Sequence, residues 1–170
     1  MQLNCLYCLL FALTVASCSQ RPAITSFANY EPLSTNDLTQ ATHSYMKAVH
    51  KKDLTKLEKM FHEKFTLEVE NEDGTKHFTH HRKPYLEYLE SIAGDISNHT
   101  YSISFHGFHL EEDDRLGQAQ YKVKEAFEVR GQPDSSEHLG RVEIVKRNGT
   151  LAIYRVRVTY DYSSSEKSKP

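Results

Sequence analysis

Apolar positions along the chain follow a helical period in the first half and a two-residue period in the second. Leu38, Ala41, Tyr45 and Val49 recur at helical spacing behind Ser34-Thr35-Asn36-Asp37, a run of N-cap residues, and predict a first helix. Lys51-Lys52-Asp53 breaks it, and a second helix begins at Asp53 with Leu54, Leu57, Met60 and Phe61 as its apolar stripe. Phe65, Leu67 and Val69 then alternate with polar residues, the pattern of a strand with one buried face. Asn71-Glu72-Asp73-Gly74 reads as a turn, and Lys76 to Thr79 as a short returning strand. Pro84 opens a third helix whose inner side is Tyr85, Leu86, Leu89 and Ile92, and Gly94 ends it.

The remainder predicts a β-meander. Tyr101, Ile103 and Phe105 alternate, and Gly107 shifts the phase, as at a bulge, so that Phe108 and Leu110 point inward. An acidic turn, Glu111 to Gly117, leads to a strand with Ala119, Tyr121, Val123, Phe127 and Val129 on one face. Gly131 to Ser136 reads as a loop, Leu139 to Arg147 as a strand, and Asn148-Gly149 as a hairpin turn. In the Leu139–Arg147 strand, Val142 and Ile144 face opposite to Leu139 and Val145, so it is expected to be covered on both sides. The last strand carries Tyr154, Val156, Val158 and Tyr160 on one face and Arg155, Arg157 and Asp161 on the other.

The N-terminus has a different character. Leu3 to Val15 is an apolar run ending in Leu13-Thr14-Val15-Ala16-Ser17-Cys18. About a dozen apolar residues are too few to span a bilayer core, which takes roughly 20, but they suit the h-region of a signal peptide. The run to Cys18 resembles the lipobox of a bacterial lipoprotein, which implies lipidation of Cys18 and anchoring on the extracytoplasmic side of the cell envelope. Val15 and Ser17 also suit ordinary signal cleavage, so plain secretion is the alternative. No Lys or Arg precedes the run. Cys5, Cys8 and Cys18 are the only cysteines, so the chain beyond residue 18 has no disulfide framework, thiolate nucleophile or Cys-based metal site. The expected layout is a leader over 1–17, a lipidated Cys18 with a Pro-containing tether over 18–33, one domain over 34–162 and a Ser/Lys-rich tail over 163–170.

A net charge of −2 with both signs interspersed gives no basic stripe for nucleic acid. The ten histidines all lie beyond Cys18, which makes the charge of the domain sensitive to mild acid. Asn98-His99-Thr100 and Asn148-Gly149-Thr150 match the glycosylation sequon, which carries meaning only in a eukaryotic secreted protein.

Two short helices, a hairpin, a third helix and a long bent meander together specify an α+β fold. The runs Tyr45-Met46-Lys47-Ala48-Val49, Lys52-Asp53-Leu54-Thr55-Lys56-Leu57 and Met60-Phe61-His62-Glu63-Lys64-Phe65, with the closing hairpin over Gly140–Gly149, resemble the nuclear transport factor 2-like (SnoaL-like) superfamily. The family's common Trp after that last turn is Leu151 here. The resemblance covers nearly the whole domain and implies a cone: a curved antiparallel sheet packed on about three helices of the N-terminal half. Family enzymes include ketosteroid isomerases, dehydratases and polyketide cyclases, other members bind ligands or partners, and a homodimer is compatible with the fold. Fold alone does not choose among them.

One residue interrupts the apolar row of the cone. Glu125 shares its strand face with Tyr121, Val123, Phe127 and Val129, and a carboxylate there costs several kcal/mol unless paired or protonated. With His99 on the matching face of the preceding strand, it forms a candidate proton-transfer pair, and Tyr45 or Tyr101 is a candidate phenolic donor to a developing oxyanion. The structural alternative pairs Glu125 with Arg141 or Arg155. Tyr45, Tyr101, Tyr121 and Tyr154 are candidates for the wall of a ligand pocket, since apolar surface with a few hydroxyls is the usual lining. His77, His80 and His81 lack helical spacing and have Lys76, Arg82 and Lys83 beside them, so they read as a solvated loop and no metal is assigned. No cofactor is expected. The function expected from these signals is non-catalytic binding of a small apolar ligand or an envelope partner. The competing class is a cofactor-independent isomerase, dehydratase or cyclase using Glu125.

Overall fold

The computed structural model describes residues 27–71, 76–111 and 113–160. The leader, Cys18, the first part of the tether, Asp161 and the tail lie outside the described residues.

Each helix forms where capping and apolar spacing coincide. Helix α1, Thr35–His50, starts in a capping box: the Ser34 hydroxyl accepts from the Asp37 amide, and the Asp37 carboxylate accepts from the Ser34 amide at 2.9 Å. It buries Leu38, Ala41, Thr42, Tyr45, Met46 and Ala48. Helix α2, Leu54–Met60, is capped by the Asp53 carboxylate, which accepts from the Lys56 amide at 3.0 Å. It ends one residue before Phe61, which opens strand β1, Phe61–Asn71, instead of closing the helical stripe. Strand β2, Lys76–His81, returns beside β1 and leads directly into helix α3, Arg82–Ile92.

Strands β3 (Ile96–Glu111), β4 (Leu116–Val129), β5 (Gln132–Arg147) and β6 (Thr150–Tyr160) complete a six-stranded sheet of order β2-β1-β6-β5-β4-β3. All neighbours are antiparallel except β1 and β6, which run parallel. The curved antiparallel sheet expected of the cone is thus present, with one parallel junction where the first and last strands meet across the whole domain. Long strands twist and coil, and the sheet wraps a core that includes Leu38, Leu57, Phe65, Tyr121, Val123, Val142, Ile144 and Val156.

Bulges set which residues face that core. The register shifts between Phe105 and Gly107, at the phase change expected there. Leu110 packs against the core as anticipated, whereas Phe108 is 39% exposed, its ring 5.3 Å from that of Phe105. A second irregularity pairs Glu143 with Arg155 but Ile144 with Ile153, leaving Tyr154 as the extra residue. The simple alternation expected for β6 fails at this point. Ile153, Val156 and Val158 face the core, while Tyr154 joins Phe27, Leu116 and Val145 in a separate cluster. With Val142 and Ile144 in one cluster and Val145 in the other, β5 is covered on both faces.

Two further differences matter. The segment Phe27–Leu33, expected as tether, is packed: Phe27 and Leu33 are buried, Glu31 N–H donates to the Lys146 carbonyl, and Leu33 N–H donates to Asp114. The packed body thus reaches back to Phe27. Residues 132–136, expected as loop, are the first residues of β5, joined to β4 through Arg130 (φ 51°) and Gly131 (φ 80°), a turn with left-handed residues at both central positions.

The outer side of β1, β5 and β6 holds a buried ion network. Arg155 is 3% exposed and lies 3.6 Å from Glu68 and 3.5 Å from Glu143, while Arg157 donates to Glu68 at 2.8 Å. A charged arginine can be accommodated there because two carboxylates surround it. On the same sheet, Gly140 lies under the Tyr121 ring, and a methyl group at Gly140 would sit 2.2 Å from Cζ of that nearly inaccessible side chain. Gly140→Ala should therefore destabilise the fold by about 1–3 kcal/mol through overpacking, read as a lower denaturation midpoint at unchanged m-value.

Candidate active site

The curl of the sheet leaves a cavity of about 350 Å³ between its inner face and helices α1 and α3. Met46, Val49, Leu67, Phe127 and Val158 supply apolar wall, and Glu125, His99, Ser136, His138 and Lys52 supply most of the polar groups.

Glu125 projects from β4 between Val123 and Phe127 and is 16% exposed at its side chain. Its Oε1 lies 3.1 Å from His99 Nε2, and its Oε2 accepts from the Ser136 hydroxyl at 2.9 Å. His138 Nδ1 stands 3.9 Å from Oε2. A carboxylate only accepts, so the His99 bond requires the proton on Nε2. Neither of the arginines considered as structural partners reaches this group. Arg155 is engaged by Glu68 and Glu143, and Arg141 pairs in register with Gln120 and Arg157 on the other side of the sheet.

Local backbone geometry brings these partners together. Ser97 pairs with Glu128 but Thr100 with Ala126, and Asn98 takes a left-handed conformation (φ 49°) inside that bulge. The bulge places His99 on the inner face, in phase with Tyr101, which is itself opposite Glu125. Ser136 stands directly across from Glu125 on β5, with His138 two residues further along the same face. Ser136 and His138 were missed because residues 131–136 have no apolar alternation. The Gly131 turn signal was present, and a strand extended back to it would have put Ser136 opposite Glu125.

The candidate tyrosines separate. Tyr45 and Tyr121 line the cavity. The Tyr45 hydroxyl is 3.2 Å from that of Tyr85, a fully buried phenol of α3 whose pKa is pushed up to about 12 by burial, against the lowering effect of the Tyr45 hydrogen bond. Tyr85 was legible only as an inner-face helix residue. Tyr101 is not on the cavity wall. Its ring centroid lies 4.9 Å from that of His50, which in turn lies 4.7 Å from His99. Tyr154 is displaced by the β6 bulge to the second cluster, beside His62, so it too is not among the cavity residues.

Of the three clustered histidines, the side chain of His77 lies outside the described residues. His80 stacks on Tyr88 with centroids 5.8 Å apart and 17° between planes, and His81 is the N-cap residue of α3. Among the described residues no group of three or more His, Cys, Asp or Glu side chains is arranged to hold a metal ion. No helix among them is long and apolar enough to cross a membrane.

Burial depresses the pKa of His138, with the Glu125 charge opposing that shift. Burial also lowers His50, helped by His99 and Lys51 and opposed by Glu125, and it lowers His62. A histidine whose folded pKa lies below its unfolded value contributes stability above the unfolded value, lost as pH falls. With a reference of 6.5, acidification from pH 7.5 towards pH 5 should lower the melting temperature. His138→Gln should show a shallower decline over the same interval, measured by thermal unfolding at fixed ionic strength.

No family model matches the sequence, and no curated protein matches it closely. Solved structures do match in fold. An NTF2-like protein from Cytophaga hutchinsonii aligns over 76% of this chain and 99% of its own, at 10% identity and a TM-score of 0.58. A ketosteroid isomerase-like protein from Erwinia carotovora covers 74% of this chain and 94% of its own, at 8% identity and 0.59. An LEH-like epoxide hydrolase from M. tuberculosis covers 81% and 86%, at 13% identity and 0.52. At such identities the likeness concerns architecture alone, and the architecture of this chain is the nuclear transport factor 2-like cone, an α+β fold.

Proposed function

We propose that the domain is a cofactor-independent acid–base enzyme of the isomerase or dehydratase type, acting on a small and largely apolar substrate. The observation that carries this reading is Glu125 in the wall of the cavity with two imidazoles and a hydroxyl around it and, among the described residues, no arginine paired with it. An arginine partner would hold the carboxylate ionised permanently, whereas imidazoles can exchange protons with it. In this role Glu125 removes a proton from carbon next to a carbonyl, and His99 and Ser136 fix the carboxylate's orientation. In the same reading the Tyr45–Tyr85 phenols, which also line the cavity, hydrogen-bond the oxygen on which negative charge develops. Return of the proton to another carbon completes an isomerisation, and expulsion of a β-hydroxyl as water completes a dehydration.

One observation favours binding without turnover: both oxygens of Glu125 already hold a hydrogen-bond partner. The readings part on Glu125→Gln. As a catalytic base, Glu125 accounts for about 10²–10⁴ of rate, so on cyclic enones and β-hydroxy ketones the variant should lose at least about 100-fold in kcat with its melting temperature nearly kept. Absence of turnover by the wild type across that panel, with ligand affinity unchanged in the variant, would return the domain to the binding class.

For location we infer an exported protein held to the extracytoplasmic side of a membrane through lipid on Cys18, with plain secretion as the alternative. The support is the apolar run ending at Cys18 and the absence of any later cysteine. Two or more acyl chains suffice for stable anchoring. Cys18→Ser should move the protein from the membrane fraction to the soluble one and abolish acyl labelling; retention of either sinks the anchor.

A further inference from the structure

Lys52 occupies a position that favours glycine. Helix α1 ends in a Schellman arrangement: Lys52 N–H donates to the Val49 carbonyl at 3.0 Å, and Asp53 N–H donates to the Ala48 carbonyl at 2.9 Å. The residue between Lys51 and Asp53 must then be left-handed, and Lys52 is, with φ 56°. A lysine bears a backbone cost there that glycine avoids, so its side chain is where a compensating role is to be sought.

That side chain turns into the cavity that holds Glu125. Its ammonium donates to the carbonyls of Ala93 and Ile96, the latter at 2.5 Å, and no described carboxylate is in ion-pair contact with it. An ammonium has three donors. Two are used on carbonyls at the junction of α3 and β3, which leaves a third N–H and the whole positive charge for the cavity. The cavity's other charged wall group is Glu125. The site is therefore bipolar, with a fixed cation supplied by the α1–α2 turn and a carboxylate supplied by β4.

The rim adds a shape requirement. Phe78 and Tyr88 line the same cavity yet are 43% and 45% exposed, more than a core role explains. Their rings both lie against His80, tilted at 4.9 Å for Phe78 and stacked at 5.8 Å for Tyr88. At about 350 Å³ the space lies at the small end of ligand pockets, about 300–1,000 Å³.

We propose that Lys52 is an anion-recognising residue of this cavity and that the ligand is a compact ring-bearing organic acid, held by its carboxylate at Lys52 and by its ring against Phe78 and Tyr88. The assignment rests on the reading of the cavity as a small-molecule site, and deepens it: the anionic group is anchored at Lys52, leaving the neutral part of the molecule for Glu125. Lys52 also ties the α1–α2 turn to the start of β3, and the test has to separate that clasp from recognition.

The probes are 1-naphthoate and its neutral counterpart 1-naphthamide, titrated calorimetrically at pH 7.5 and low salt into the wild type and into Lys52→Gly and Lys52→Arg. Lys52→Gly suits the left-handed position, so the backbone is not strained by the change, and thermal melting of each variant shows whether it is folded. A charge-assisted hydrogen bond discriminates by about tenfold, so the wild type should bind naphthoate about tenfold more tightly than naphthamide. Lys52→Gly should lose that preference with naphthamide affinity kept, and Lys52→Arg should retain most of it. Glu125→Gln, which tests catalysis, should preserve or raise the preference, so failure of the catalytic reading leaves this result standing. Equal affinity for the two probes in the wild type, binding of neither, or an unchanged preference in folded Lys52→Gly overturns the proposal. An equal loss of both probes in that variant also overturns it, because it assigns Lys52 to the clasp alone.

Discussion

A carboxylate on the inner face of a curled sheet has to be hydrogen-bonded, and one end of this domain is arranged around that demand for Glu125. Leaving the group without partners would cost several kcal/mol, comparable to much of the stability of a domain this size. Partners arrive from both neighbouring strands. The bulge at Asn98 brings His99 from β3, and the Arg130–Gly131 turn extends β5 far enough to deliver Ser136 and His138. Shortening β5 to the apolar stretch alone would remove two of the three groups around the carboxylate. The polar first half of β5 thus positions the site, although it contributes little to the core.

The helices are tied to the same end. Lys52 bonds to Ala93 and Ile96, so the turn after α1 is fixed to the entry of β3 three residues ahead of His99. The Tyr45–Tyr85 hydrogen bond joins α1 to α3 across the cavity floor, backed by the stacked rings of Phe61 and Phe65. Helices α1 and α3 therefore each contribute a polar contact at the cavity in addition to their apolar faces.

Much of this was legible in the residues, and the exceptions share a cause. The capping box at Ser34 and Asp37, the Asn148-Gly149 turn and the phase change at Gly107 are local signals, complete within a few residues, and they specify local structure. The acid at position 125 stood out because its strand neighbours are apolar. What escaped depends on pairing between distant segments. The bulge at Tyr154 is visible only when β6 is laid against β5. The packing of Phe27 requires Leu116, Val145 and Tyr154 to converge. Residues 132–135 carry no alternation because they are exposed on both faces, and Ser136 faces a polar site, so a hydrophobic pattern had nothing to mark.

The sheet holds two kinds of enclosed carboxylate, and the contrast bears on function. Glu68 and Glu143 are met by Arg155 and Arg157. An arginine does not release its proton in a protein, so those acids face a permanent cation, and their geometry serves to close the outer face over it. Glu125 is met by His99, His138 and Ser136 instead. Burial holds His138 towards its neutral form, and the Glu125 charge opposes that shift without cancelling it. A group meant only to hold strands together is better served by the first arrangement, which the same sheet uses a few residues away. That the cavity acid has imidazoles where the acids of the ion network have guanidinium groups is the physical basis for proposing proton transfer at Glu125 and a structural role for Glu68 and Glu143.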